Sequence, residues 1–167
     1  MNIILRPATP NDTQALVALT RELAIYEKKN PADIKLTAEK IMAHGFNSQP
    51  YFHILVTEYE QELIGHALYF FTYAASLGAP ILYLEDLFVR DGYRKNGIGT
   101  QMLAELAKIA VKKDCCRMEW HAFTWNEAAI AFYKSLGGTL KTDLVQVRLD
   151  SAATQKLAAL ERKIESD

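Results

Sequence analysis

Arg94-Lys95-Asn96-Gly97-Ile98-Gly99-Thr100 is the stretch that decides how this chain folds. It stands between an apolar run at 81 to 89, which reads as a strand, and residues 97 to 112. In the latter, Met102, Leu103, Leu106, Ile109 and Ala110 recur at helical spacing. A helix start leaves about four backbone N–H groups unpaired and carries partial positive charge, so it holds a pyrophosphate wherever the chain can come close. Gly97 and Gly99 remove obstructing side chains, and Arg94 and Lys95 add charge at the same place. Two better-known phosphate loops fail: the P-loop lysine position is Ile98, and the third glycine of a dinucleotide fingerprint falls on Met102. Alone, the pattern fits a tight turn as well as it fits a phosphate site, so its surroundings decide.

Working outward, residues 2 to 6 read as a short strand, and Thr9-Pro10-Asn11-Asp12 supplies a cap, an N1 proline and an acid for a helix over about 10 to 28. Leu16, Leu19, Leu23 and Tyr26 give that helix its inward face, and Asn30-Pro31 ends it. A second helix is expected from Thr37 to Ala43, with Gly45 as its terminator. Residues 51 to 56 and 63 to 71 form an antiparallel hairpin about Glu60 and Gln61. After the glycine loop and its helix come a strand at 117 to 122 and a helix at 126 to 136 stopped by Gly137-Gly138. A closing strand or strand pair follows at 139 to 149, then a helical tail at 151 to 164. No repeat or linker interrupts the pattern, which predicts a single α+β domain over 1 to 167 around a mixed sheet.

A chain of 167 residues with 50% hydrophobic content buries a core without disulfides or a structural metal. A net charge of -1 provides no field for a polyanion, so a small ligand is expected rather than nucleic acid. The opening apolar run is closed by Arg6-Pro7, which fits neither a signal peptide nor a membrane span and makes the cytoplasm the expected location. Cys115 and Cys116 are read as buried small apolar residues. His44, His53, His66 and His121 show no metal spacing and are read as structural, with His121 close to the expected site; no metal is expected.

Tyr83-Leu84-Glu85-Asp86-Leu87-Phe88-Val89 precedes the glycine loop, and Trp125-Asn126-Glu127 and Ala131-Phe132-Tyr133-Lys134-Ser135-Leu136-Gly137 follow it. This ordered set resembles the GNAT acetyltransferases, and within them the diamine branch that acetylates spermidine, spermine or thialysine. The similarity extends through Ile4-Leu5-Arg6-Pro7-Ala8-Thr9, Tyr26-Glu27, Gly45-Phe46 and Tyr69-Phe70-Phe71-Thr72-Tyr73. The resemblance implies a mostly antiparallel, twisted mixed sheet flanked by helices, with one splayed strand pair forming an acetyl-CoA cleft.

It implies site roles as well. Leu87, Phe88 and Val89 would receive the pantetheine arm, with a backbone N–H near Val89 serving the oxyanion. Arg94, Lys95, Asn96, Gly97, Ile98, Gly99 and Thr100 would bind pyrophosphate, and Asn126 would border the cofactor or cap its helix. Tyr133 would lie at the thioester sulfur as general acid. Glu85 would act as general base through water, a needed task because an alkyl ammonium of pKa about 10.4 has no lone pair at neutral pH. From the residues themselves, Glu85 and Asp86 either attract a cationic substrate or satisfy neighbouring polar groups, and Glu27 and Glu22 either line an acidic pocket or are exposed charge on the first helix. The family's members also pair as homodimers, often by exchanging C-terminal strands.

The chain departs from polyamine enzymes at Ala74-Ala75-Ser76-Leu77 and Val145-Gln146-Val147, which lack the charge and indole that hold a remote ammonium. The expected reaction is therefore direct acetyl transfer from acetyl-CoA to a small primary amine, a diamine or a thialysine-like amino acid. The alternatives are a protein N-terminus, a lysine or an aminoglycoside as acceptor, or a non-catalytic acyl-CoA module.

Overall fold

The computed structural model describes residues 1–160, so the end of the expected helical tail, 161 to 164, lies outside the described residues. The chain forms two compact units, Met1–His121 and Ala122–Asp167.

The first unit is built on five strands: β1 (Ile4–Pro7), β2 (His53–Tyr59), β3 (Glu62–Ala74), β4 (Ala79–Val89) and β5 (Arg117–Glu119), in that spatial order. The first four are antiparallel neighbours and β5 is parallel to β4, as its crossover through α3 (Ile98–Lys112) requires. The expected mixed, mostly antiparallel sheet is thus present. Glu60 and Gln61 both take positive φ, 49° and 66°, which makes the β2–β3 connection the two-residue turn whose twist matches a hairpin.

Both faces of the sheet are covered. Leu16, Val17, Leu19 and Leu23 of α1 (Thr13–Tyr26) and Ile41 of α2 (Ala38–Gly45) share one core cluster with Ile54, Val56 and Phe88. Strand side chains alternate, so the buried Leu55 and Thr57 turn to the other face, where α3 packs with Ile98, Met102, Leu103, Leu106 and Ala110 inward. The start of α1 is fastened to the sheet by charge. Asp12 accepts from the Thr9 N–H at 2.6 Å and from Arg6 at 2.8 Å, and Arg6 also bonds Glu58 at 2.7 Å. The Arg6 guanidinium holds the Asp12 carboxyl down to about 2.

Several details differ from the sequence expectation. α1 ends at Tyr26, well before Pro31, because Lys28 turns left-handed at φ 60° and the Lys29 N–H closes back on the Ala24 carbonyl. Gly45 is the last residue of α2 and is not left-handed; a Cβ there would lie 2.7 Å from the Phe52 ring, so close packing explains it. β5 stops at Glu119 rather than 122. Cys115 is half-buried and Cys116 exposed, because both fall in the connection from α3 to β5, where the Cys116 N–H reaches the Pro80 carbonyl. His66 is the core histidine: burial alone lowers its pKa to about 4, so it packs as a neutral ring beside Phe88.

The second unit contains α4 (Glu127–Ser135) and α5 (Ser151–Ala158). Gly137 adopts φ 88° and the Gly138 N–H bonds the Tyr133 carbonyl at 2.9 Å, so the Gly-Gly pair stops α4 as its sequence predicts. The closing strand expected at 139 to 149 does not form among the described residues. Leu144, Val145 and Val147 are 76%, 87% and 85% exposed, and a strand without a partner edge gains neither ladder bonds nor apolar burial.

Candidate active site

β5 pairs with β4 only from Ile81 to Tyr83, so beyond Tyr83 the β4 edge at 84 to 89 has no strand partner among the described residues. That opening is the expected splayed pair, and it leaves outward-facing backbone groups of β4 beyond Tyr83 available to an extended ligand, apart from the Val89 carbonyl, which Arg94 occupies.

The ladder between β3 and β4 breaks at the same level. Leu68 pairs with Asp86 and Tyr69 with Leu84, which leaves Glu85 as the extra, unpaired residue of a β-bulge. Bulges re-aim side chains and recur beside active sites. Glu85 is exposed there, and Asp86 next to it is half-buried. Burial first, then the carboxylates of Glu85 and Glu27, push the Asp86 carboxyl up to about 6, against a smaller opposing pull from Lys29. Glu27 accepts from the Lys29 ammonium at 2.5 Å. Glu22 is already committed, since Arg90 holds it through Nη2 at 2.8 Å and Nε at 2.9 Å while also pairing with Glu62.

The crowded carboxylates have a cost that can be measured. An acid whose folded pKa exceeds its unfolded value binds more protons folded, so its penalty is absent at low pH and complete above about 6. Asp86→Asn is expected to stabilise the protein by about 1–3 kcal/mol at pH 8. The gain should shrink as pH falls through 6 toward 4, read from denaturant unfolding across that range. An equal gain at every pH would contradict this origin.

At the glycine loop, Lys95 and Gly97 both adopt left-handed backbone, φ 62° and 75°, immediately before α3 begins at Ile98. A Cβ on Gly97 would meet nothing within 4 Å, so glycine is needed for the turn, and the space over it is open to a ligand. The first amides of this 15-residue helix have no intrahelical acceptor. Arg94 braces the loop: its Nε donates to the Val89 carbonyl at 2.7 Å and its guanidinium stacks 4.3 Å from the centre of the Tyr26 ring. Asn96 donates to the Tyr93 and Arg94 carbonyls at 3.2 Å. Open space, main-chain donors and adjacent positive charge fit the pyrophosphate of acetyl-CoA.

In the second unit, Asn126 Oδ1 caps α4 by accepting from the Ala129 N–H at 3.2 Å, and Tyr133 lies on that helix with its ring 5.4 Å from that of Phe132. The sequence reading gave no role to Tyr83, whose hydroxyl is hydrogen-bonded to His121 in the first unit. Its place two residues before Glu85 was the available signal. Among the described residues no cluster of metal-ligating side chains occurs and no helix is long and apolar enough to cross a membrane.

A splayed β4–β5 pair with a bulge at its mouth and a glycine-led helix beside it defines an acyl-CoA-dependent transferase fold. The acetyltransferase (GNAT) family profile matches residues 17–137, and the chain belongs to that family. It is an acetyl-CoA-dependent N-acetyltransferase, with acetyl-CoA as co-substrate. Among its relatives, a thialysine N-epsilon-acetyltransferase of Sus scrofa is 33% identical over 94% of this chain and 98% of that protein. The spermidine/spermine N(1)-acetyltransferase-like protein 1 of Homo sapiens is 35% identical over 80% of this chain, which spans 20% of that larger protein. The solved structure of an integron cassette protein from the mobile metagenome of V. cholerae superposes with a TM-score of 0.81 at 26% identity, covering 96% of this chain and 99% of that one.

Proposed function

We propose that the chain acetylates a primary amine of a small molecule by direct transfer within one ternary complex, as a single acetyltransferase domain over its whole length. The observation that carries this reading is the acidic cluster at the bulge, where Glu85 stands beside an Asp86 that already shares its field with Glu27. Such a group of like charges gains from an incoming ammonium, which relieves their mutual repulsion and concentrates cationic substrate at the notch. Glu85 takes the first ammonium proton through water before attack; Tyr133 then protonates the departing CoA thiolate and regains its proton from the nitrogen of the tetrahedral intermediate, so one proton per turnover is left for solvent. The main chain at Leu87, Phe88 and Val89 holds the pantetheine arm. Residues 94 to 100 hold the pyrophosphate, with Asn126 at the border.

The acceptor is a diamine or a thialysine-like amino acid. The thialysine N-epsilon-acetyltransferase relatives support the amino acid, and Ala74-Ala75-Ser76-Leu77 speaks against long polyamines. CoA release measured with putrescine, L-ornithine, thialysine, spermidine, an aminoglycoside and a peptide N-terminus tests the reading. Turnover is expected with the short amines and little with spermidine. Preference for the peptide or the aminoglycoside would replace the reading, and acetyl-CoA binding without turnover of any amine would make the chain an acyl-CoA-binding module. We place the enzyme in the cytoplasm as a homodimer, a state supported by the bare apolar side chains of Leu144, Val145 and Val147 and checked by sedimentation equilibrium.

A further inference from the structure

Tyr83 stands opposite Glu119 in the parallel ladder and packs its ring on Phe70 with centroids 5.0 Å apart. Its Oη lies 2.5 Å from Nδ1 of His121, and the two rings meet edge-on at 5.7 Å. Burial, together with the carboxylates of Glu85 and Glu119, pushes the phenol pKa up, so the hydroxyl keeps its proton. In the tautomer with a lone pair on Nδ1 and the ring N–H on Nε2, the Tyr83 hydroxyl donates to His121. His121 is exposed, so its ring is open to water. Glu85 on β4 and Glu119 on β5 act on Tyr83, Arg117 is bound to Glu119 at 2.6 Å, and Phe70 on β3 carries no charge.

Each turnover leaves one proton on Glu85, and that carboxylate must be cleared before the next ammonium is deprotonated. We propose that Tyr83 and His121 form a proton relay that carries this proton from Glu85 to solvent. The relay rests on the reading of Glu85 as base. The carboxylic acid O–H of Glu85 breaks as a proton passes, directly or through one water, to Tyr83 Oη. The original Tyr83 O–H breaks as Nδ1–H forms, and the imidazolium gives its Nε2 proton to water. Glu85 is again a carboxylate and Tyr83 again a phenol, and His121 is a neutral ring with its proton on Nδ1; water then protonates Nε2 and removes the Nδ1 proton, which restores the starting tautomer with no net gain or loss of protons and consumes no co-reactant.

The test uses the full chain, acetyl-CoA and whichever of putrescine, L-ornithine and thialysine the native protein turns over fastest. His121→Ala is expected to lower kcat by about tenfold or more, with the KM for acetyl-CoA within about twofold. Millimolar free imidazole should restore part of that turnover without stimulating the native protein. Tyr83→Phe keeps the ring on Phe70, so it guards against a folding defect. It should lose a similar factor, resist imidazole, and add nothing further when combined with His121→Ala. A His121→Ala kcat within twofold of native, or a loss that imidazole leaves untouched, overturns the relay while the amine reading stands. If the native protein turns over no amine, the underlying reading itself fails and the relay falls with it.

Discussion

Tyr133→Phe lowers turnover by about 100-fold or more while acetyl-CoA binds within about twofold of its native affinity. The substitution keeps the ring and its contact with Phe132 and removes one hydroxyl, so the helix end closed by Gly137 and Gly138 is undisturbed. On the proposed mechanism, what is lost is the proton donor. A phenol titrates near 10 and a thiol near 8.5, so transfer to a departing thiolate is uphill unless the phenol is held beside the sulfur. A positioned acid therefore acts on kcat and leaves the ground-state grip on the nucleotide alone. Stopped-flow turnover and calorimetric binding on the same preparation separate the two. Equal losses in both would assign Tyr133 to packing.

Glu85→Gln lowers kcat/KM by about 100-fold at pH 7, and the deficit narrows as pH rises. The sign follows from the substrate. An alkyl amine of pKa about 10.4 presents roughly one neutral molecule in a few thousand at pH 7 and roughly two in seven near pH 10. An enzyme with a base at the bulge supplies the deprotonation, whereas an amide at position 85 must wait for amine that is already neutral. The profile of the variant should therefore climb steeply toward alkaline pH while the native profile flattens earlier. Parallel profiles would mean that Glu85 only attracts the cation.

Most of the first unit was legible because its patterns are strong: the apolar run from Ile54 to Val56 before the polar turn at Glu60 and Gln61, the helical spacing from Met102 to Ala110, and the Thr9 to Asp12 start of α1. The glycine loop was legible for a related reason, since a left-handed residue at Gly97 leaves a compositional mark. The bulge at Glu85 was not, because register depends on which residues of β3 face it, and nothing within β4 itself records a missing partner. The Tyr83–His121 contact joins residues 38 apart and was hidden for the same reason. The segment at 139 to 149 misled in the opposite direction: its apolar residues have strand character, but strand formation needs an edge outside the segment. Glu22 looked like a pocket acid until Arg90 was found to hold it, a pairing that no local pattern announces.

A crystal structure of the protein with bound acetyl-CoA is the decisive measurement. The account predicts pyrophosphate oxygens within hydrogen-bond distance, about 3 Å, of the amides at Ile98, Gly99 and Thr100. It also predicts the sulfur in contact with Tyr133 Oη and the acetyl carbon open to Glu85 through one water. A nucleotide bound away from the start of α3, or a sulfur remote from both side chains, would contradict it.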